Sequence, residues 1–176
     1  SVKSDLGDSP LGMGALTVGA TVRDMAAAYA TFASDGVWRE ARTYTKVYDS
    51  EGRLVLDNTQ ESEKILSDKT INYMNYCLQN AVSSGTGGEA RISGQNIAGK
   101  TGTTSSNRDR WFCGYSKYYA AAVWCGYYNP EVIRITSGEN NPAAVLFRKV
   151  LQPLHAGLPK KSLYSTGNFR SYNMCL

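Results

Sequence analysis

The sequence predicts a protein of the α/β class in its α+β form, an antiparallel β-sheet flanked by helices. Three short segments rich in aromatic and β-branched residues follow one another in the second half of the chain, with turn-forming residues between them. On both sides of these segments, apolar residues recur at intervals of three and four, which indicates helices. With 176 residues and 42% hydrophobic content, the chain is large enough for one domain.

The first helix is predicted from about Val22 to Ala33. Thr21 can cap it with Asp24 three positions later, and Gly36 supplies the exit. A polar hairpin is predicted next, with strands over residues 43–49 and 53–56.

A second helix is predicted from the N-cap Ser67 to about Ser83. Its expected buried face consists of Ile71, Met74, Leu78 and Val82. The glycine-rich loop 85–88 follows, and it is either a flexible connector or a support for a nearby site.

The three central strands are predicted over residues 97–103, 111–115 and 120–127 as an antiparallel meander, with the second hairpin closing near Lys117. The residues Arg108, Asp109 and Arg110 are interpreted as a solvated turn, with a brace for the loop beside the site as the alternative role of Asp109. A last helix begins at Asn141 and Pro142. Its expected core face consists of Ala143, Leu146, Phe147, Val150 and Leu151.

The segment Gly99-Lys100-Thr101-Gly102-Thr103 carries the main functional signal. On an edge strand, Lys100 would project a cation into a cleft. Gly102 removes a side chain, so that an extended peptide can lie against the backbone. This arrangement suits a ligand that carries a carboxylate.

The same residues also match a phosphate loop, because Gly94, Gly99, Lys100 and Thr101 satisfy the pattern G-x-x-x-x-G-K-[ST]. That loop must follow a buried strand and lead directly into a helix. Residues 102–107 are poor helix formers. A nucleotide hydrolase that binds ATP with Mg²⁺ is therefore the less favoured alternative.

Several motifs together give a family resemblance. They comprise the helix 25–33 with Asp35-Gly36, the segment 99–104, Asp109-x-Trp111-Phe112-x-Gly114-Tyr115, Ala122-Val123-Trp124-x-Gly126-Tyr127, and His155-x-Gly157-Leu158-Pro159. In this order and spacing, they resemble the C-terminal half of the transpeptidase domain of class A penicillin-binding proteins. The resemblance runs from about Leu11 to Leu163. It implies an incomplete penicillin-binding and serine β-lactamase-like transpeptidase fold over residues 1–163, followed by a polar tail over residues 164–176.

The resemblance also implies an activity, namely serine acyl transfer from the D-Ala-D-Ala end of peptidoglycan stem peptides, with β-lactams as inhibitors. Lys100 and Thr103 are then the catalytic candidates. The substrate-binding candidates are Lys100, Thr101, Gly102 and Thr103, and the Thr103 N–H is expected to be one oxyanion donor. No cofactor or metal is implied.

The family's nucleophile motif S-x-x-K is absent, since no lysine has a serine three positions before it. The sequences Ser105-Ser106-Asn107 and Ser171-Tyr172-Asn173 match S-x-N only by letters and are interpreted as turn residues. Both motifs are expected before Ser1, so the chain is expected to be a fragment. It should need the missing N-terminal part of the same domain, and alone it should be inactive.

Two further classes stay open. A non-catalytic substrate-binding or scaffold module would have the same K-T-G strand. A β-lactamase also contains K-T-G, but it is disfavoured by the match in the helix, the hairpin and the tail. The absent upstream sequence distinguishes these classes.

The resemblance implies a protein on the extracytoplasmic face of the bacterial cell membrane whose anchor lies outside this chain, and the composition agrees with a piece of a larger extracytoplasmic enzyme. The net charge of +4 is spread along the sequence, which argues against nucleic-acid binding. The longest apolar run, residues 118–128, is too short to span a bilayer.

The cysteines and the only histidine are not expected to form a metal site or a disulfide. If the hairpin closes as predicted, Cys113 lies opposite Ala122 and not Cys125. The four cysteines Cys77, Cys113, Cys125 and Cys175 are therefore expected to be free buried thiols. His155 is expected to end the last helix and to take no part in catalysis.

Overall fold

The structure is a computed structural model that describes residues 19–135, 138 and 140–166. The helices in these ranges are α1 (Val22–Ala33), α2 (Asp68–Ser83) and α3 (Pro142–Leu154), and a 3-10 turn spans Gly88–Ala90. The strands are β1 (Val37–Arg39), β2 (Lys46–Tyr48), β3 (Leu54–Asp57), β4 (Ser62–Lys64), β5 (Ala98–Thr103), β6 (Asp109–Tyr115) and β7 (Ala120–Gly126). The predicted α+β class is confirmed.

The central sheet is the antiparallel meander β5-β6-β7, as predicted. Successive side chains along a strand point to opposite faces. Phe112 therefore contacts α3 on one face, where its ring lies 4.8 Å from that of Phe147. Tyr115 lies on the other face, against Tyr29 and Phe32 of α1. The sheet is thus covered by helices on both faces, with strand β5 at one edge.

Helix α1 begins and ends as predicted. The hydroxyl of Thr21 accepts a hydrogen bond from the Asp24 N–H at 3.1 Å, which satisfies one of the free donors of the first turn. At the other end, Gly36 adopts a positive φ of 83°. A side chain there would collide with the Leu66 carbonyl, so glycine is required at this exit.

Helix α2 starts after the predicted cap Ser67, whose hydroxyl accepts from the Thr70 N–H. One core residue was not predicted, because Asn75 is fully buried. Its amide donates to the Leu163 carbonyl at 2.7 Å, and its oxygen accepts from the Tyr115 hydroxyl at 2.5 Å. This single carboxamide joins the helix, the sheet and the segment after α3.

Helix α3 is capped by Asn141, whose side-chain oxygen accepts from the N–H groups of the first turn. The prediction that Leu146 and Val150 face the core is wrong, since they are 46% and 52% exposed. Spacings of three and four generate two adjacent stripes on a helix. In the described structure only the stripe that contains Phe147 and Leu151 meets the sheet.

The remaining strands form two small antiparallel ribbons, β1-β4 and β2-β3. The second ribbon is the predicted polar hairpin. Its turn is closed by Asp49, whose carboxylate accepts from the N–H groups of Glu51 and Arg53. The side-chain hydrogen bond from Arg53, together with backbone N–H groups of the turn, lowers the pKa of Asp49.

Candidate functional site

Strand β5 places the K-T-G-T residues at the open edge of the central sheet. Lys100 is exposed there, and its ammonium donates to the carbonyl of Thr101 at 3.1 Å and to the Thr101 hydroxyl at 3.3 Å. Thr101 and Thr103 lie across from Phe112 and Arg110, on the opposite face from Lys100. The structure thus brings the Lys100 ammonium to the Thr101 hydroxyl, and it places Thr103 two residues further along the same edge strand.

The backbone at this edge also offers hydrogen-bond donors. The Thr104 N–H donates to the Asp109 carbonyl at 3.3 Å. Hydrogen-bonded and non-hydrogen-bonded pairs alternate along an antiparallel ladder. Counting back from Thr104, residues 102 and 100 are therefore the positions that bond to β6. The N–H groups of Thr101 and Thr103 point away from β6, towards the open edge, where an extended ligand can accept hydrogen bonds from them.

The two glycines of the motif fit closely against the neighbouring strand. A Cβ atom on Gly99 would lie 2.7 Å from both the Phe112 ring and the Cys113 carbonyl. A Cβ atom on Gly102 would lie 3.1 Å from that of Trp111. The glycines therefore permit close packing within the sheet.

The glycine-rich loop 85–88 contacts the same edge. The hydroxyls of Thr86 and Thr101 lie 2.9 Å apart. The loop is fixed on the end of α2, because the buried Gly87 donates its N–H to the Ala81 carbonyl at 2.8 Å. The loop is therefore in direct contact with the strand that carries Lys100.

The connection between β5 and β6 is a tight turn and not the start of a helix. Asn107 has a positive φ of 54°, as expected for the turn residue that the sequence indicated. The hydroxyl of Thr104 accepts from the N–H groups of Arg108 and Asp109. Because no helix follows Lys100, this segment lacks the geometry of a phosphate loop.

Two residues assigned to a solvated turn in fact begin strand β6. Asp109 accepts from the indole N–H of Trp124 at 2.9 Å. The guanidinium of Arg110 reaches back to the Thr103 hydroxyl at 3.0 Å and to the Asn107 side-chain oxygen at 3.1 Å. Sequence reasoning missed Arg110, although a tight turn over residues 104–108 would have placed it opposite Thr103.

A second polar constellation, Ser116 with His155, lies away from this edge. The Ser116 hydroxyl is 2.8 Å from His155 Nε2, and His155 Nδ1 is 2.7 Å from the Leu151 carbonyl. Ser116 also accepts from the N–H groups of Tyr118 and Tyr119. Only 1% of Ser116 and 4% of His155 is exposed, so a substrate has no access to this pair. His155 ends α3, as predicted, and joins it to the β6–β7 turn.

The cysteines are only partly as expected. Cys113 is buried opposite Ala122, and burial raises its pKa to about 11. Cys77 is exposed and Cys125 is half-buried, which corrects the prediction of buried thiols for both. Cys175 lies outside the described residues, as does the sequence 171–173.

None of the helices in the described ranges is both long and apolar enough to cross a bilayer.

Comparison with known proteins gives a consistent family. Residues 2–152 match the profile of the penicillin-binding protein transpeptidase domain. The chain is 35% identical over 150 residues to penicillin-binding protein 1A of Clostridium acetobutylicum, covering 85% of this chain and 18% of that protein. It is 34% identical over 165 residues to penicillin-binding protein 1A of Clostridium botulinum strain Langeland, covering 93% of this chain and 20% of that protein. The chain therefore spans about a fifth of the length of these relatives.

The fold agrees with these sequence matches. The crystal structure of the D,D-transpeptidase domain of a peptidoglycan glycosyltransferase from Eggerthella lenta superimposes with a TM-score of 0.63 at 26% identity, covering 78% of this chain and 32% of that one. The predicted resemblance to class A penicillin-binding proteins is thereby confirmed. The chain belongs to the family of penicillin-binding protein transpeptidase domains.

Proposed function

We propose that this chain supplies the K-T-G strand of a peptidoglycan D,D-transpeptidase, a serine acyltransferase that crosslinks stem peptides and is acylated by β-lactams. The observation that carries the proposal is the position of Lys100, exposed on an edge strand, with its ammonium 3.3 Å from the Thr101 hydroxyl. Family membership supplies the reaction class.

In this proposal the substrate peptide lies along the open edge of β5 as an added strand. Lys100 and the hydroxyls of Thr101 and Thr103 hold its terminal carboxylate, since hydrogen bonds to charged groups are the stronger ones. The outward N–H of Thr103 is one of two oxyanion donors. Such a donor is worth about 3 kcal/mol in the transition state.

The nucleophile is proposed to come from another part of the same domain, because no S-x-x-K sequence occurs in this chain. Two surfaces of the described structure have no partner and are available to pack against that part of the domain. Leu146, Val150 and Leu154 form an exposed apolar stripe on α3, and the outer edge of β7 pairs with no described strand. The complete enzyme is proposed to act on the extracytoplasmic face of the bacterial membrane.

A peptide-binding experiment tests the proposed role of the strand. The 176-residue chain is titrated with N-acetyl-D-alanyl-D-alanine and with its C-terminal amide, and the amide N–H signals are followed by NMR. We expect the acid to bind more tightly than the amide, and we expect Lys100→Met to remove this preference because the ammonium no longer faces the carboxylate. An unchanged preference in Lys100→Met would contradict the proposal.

A labelling experiment tests the proposed division of the domain. A fluorescent penicillin should leave the purified 176-residue chain unlabelled, because labelling requires the serine of S-x-x-K. Stable covalent labelling of this chain would show that it carries its own nucleophile.

A further inference from the structure

Arg110 is a cation without a carboxylate partner beside the K-T-G-T strand. It is the residue directly across from Thr103 in the β5–β6 ladder. None of the ion pairs in the described ranges includes it. Its Nη1 and Nη2 groups donate to two neutral oxygens, those of Thr103 and Asn107, and its buried Nε has no protein hydrogen-bond partner. The guanidinium therefore has no carboxylate in direct contact within the described ranges.

The position of the guanidinium is set by the turn. Asn107 has a positive φ of 54°, and its carbonyl accepts from the Ile133 N–H at 2.9 Å. This conformation places its side-chain oxygen 3.1 Å from Arg110 Nη2. The arginine is thus held from one side by Asn107 while its other terminal nitrogen contacts the Thr103 hydroxyl.

The chemistry of arginine fixes the direction of that contact. A guanidinium has donors and no acceptor, so the Thr103 oxygen must accept. The hydroxyl proton of Thr103 is then left to donate in another direction, and no acceptor for it occurs in the described part of the chain. Lys100 acts in the same way on Thr101, because an ammonium also only donates.

We propose that Arg110 is a positioning residue for carboxylate recognition, an inference that rests on the proposed function of the strand. It keeps the Thr103 hydroxyl oriented as a donor towards the ligand, and it adds positive charge on the face of the sheet opposite Lys100. Ligands that end in a free carboxylate are selected over the corresponding amides, because a neutral amide gains less from both effects.

The test compares acid and amide ligands in a set of variants of the full 176-residue chain. Dissociation constants for N-acetyl-D-alanyl-D-alanine and its amide are measured by NMR for the wild type, Arg110→Met and Arg110→Lys. We expect Arg110→Met to lower the acid-over-amide preference about tenfold, the usual effect of losing a hydrogen bond that serves a charged group. Arg110→Lys should restore part of it. The ratio of the two constants cancels any difference in the folded fraction between variants.

Two controls separate positioning from general charge and from structure. Arg108→Met removes an exposed cation from the same turn and should leave the ratio unchanged. In a Thr103→Val background, which lacks the hydroxyl, Arg110→Met should cause a much smaller further loss, because the two residues act through one contact.

The outcomes distinguish this inference from the proposed function. If the wild type shows no preference for the acid, or if Lys100→Met keeps that preference, the proposed function fails and the role of Arg110 with it. If the preference depends on Lys100 but Arg110→Met keeps the wild-type ratio, only the role of Arg110 is overturned. An equal loss in Arg108→Met would also overturn it, since the effect would then be one of general charge.

Discussion

At the scale of single residues, location in the sheet decides what each side chain does. Cys113 and Lys100 are directly opposite each other in the β5–β6 ladder, yet the lysine is exposed and the thiol is buried. Burial raises the pKa of Cys113 from 9.0 to about 11, and burial together with the nearby Cys113 raises that of Tyr29 from 10.0 to about 12. Both groups are therefore more easily ionised in the unfolded chain.

These shifts predict a loss of stability in alkali to which the buried thiol of Cys113 contributes from about pH 9. Below pH 9 the thiol is protonated in both states and its contribution is fully present. Between pH 9 and 11 the unfolded thiol ionises first, so stability should fall by about 1.4 kcal/mol per pH unit. Tyr29 adds to this loss above pH 10.

Urea unfolding from pH 8 to 10 should show a shallower decline of the free energy of unfolding in Cys113→Ala than in the wild type. Cys77→Ala, which removes an exposed thiol, should keep the wild-type slope, and a steep decline in Cys113→Ala would contradict the assignment.

At the scale of elements, the sequence predicted what is encoded locally. The bounds of α1, the cap Ser67 and the register of Cys113 against Ala122 all follow from residues close together in the chain, and all are confirmed. Asn75 was missed because its partners lie 40 and 88 residues away. Arg110 was missed for a related reason, since its contact with Thr103 depends on the exact length of a turn.

The role of Asn75 as a link between elements gives a prediction of its own. Asn75→Ala would leave the buried Tyr115 hydroxyl and the Leu163 carbonyl without partners. Each unsatisfied group costs about 1–3 kcal/mol, so the free energy of unfolding should fall by about 3 kcal/mol. The matched control is Asn72→Ala, which removes bonds to Ser165 at an exposed site and should cost less than about 1 kcal/mol. Similar losses in both variants by urea unfolding would show that burial does not set the cost.

At the scale of the whole molecule, the chain covers only part of its relatives and also leaves apolar surface exposed. The chain spans 32% of the Eggerthella lenta transpeptidase domain structure, and its outward apolar stripe on α3 has no cover in the described ranges. Periodicity in the sequence showed that these positions are apolar. It could not show which side of the helix meets the sheet, because both stripes satisfy the same spacing.

The stripe on α3 should respond differently in the chain and in a complete transpeptidase domain. In the 176-residue chain, Leu146→Gln with Val150→Gln replaces half-exposed side chains and should change the free energy of unfolding by less than about 1 kcal/mol. Phe147→Ala, at the fully buried neighbour, should cost about 3–5 kcal/mol. In a longer polypeptide that also carries S-x-x-K, the same pair of glutamines should be strongly destabilising and should reduce penicillin labelling, because the stripe would then be buried against the added part of the domain. An equally small effect in both polypeptides, measured by urea unfolding, would contradict this prediction, because it would mean that the stripe faces solvent in the complete domain.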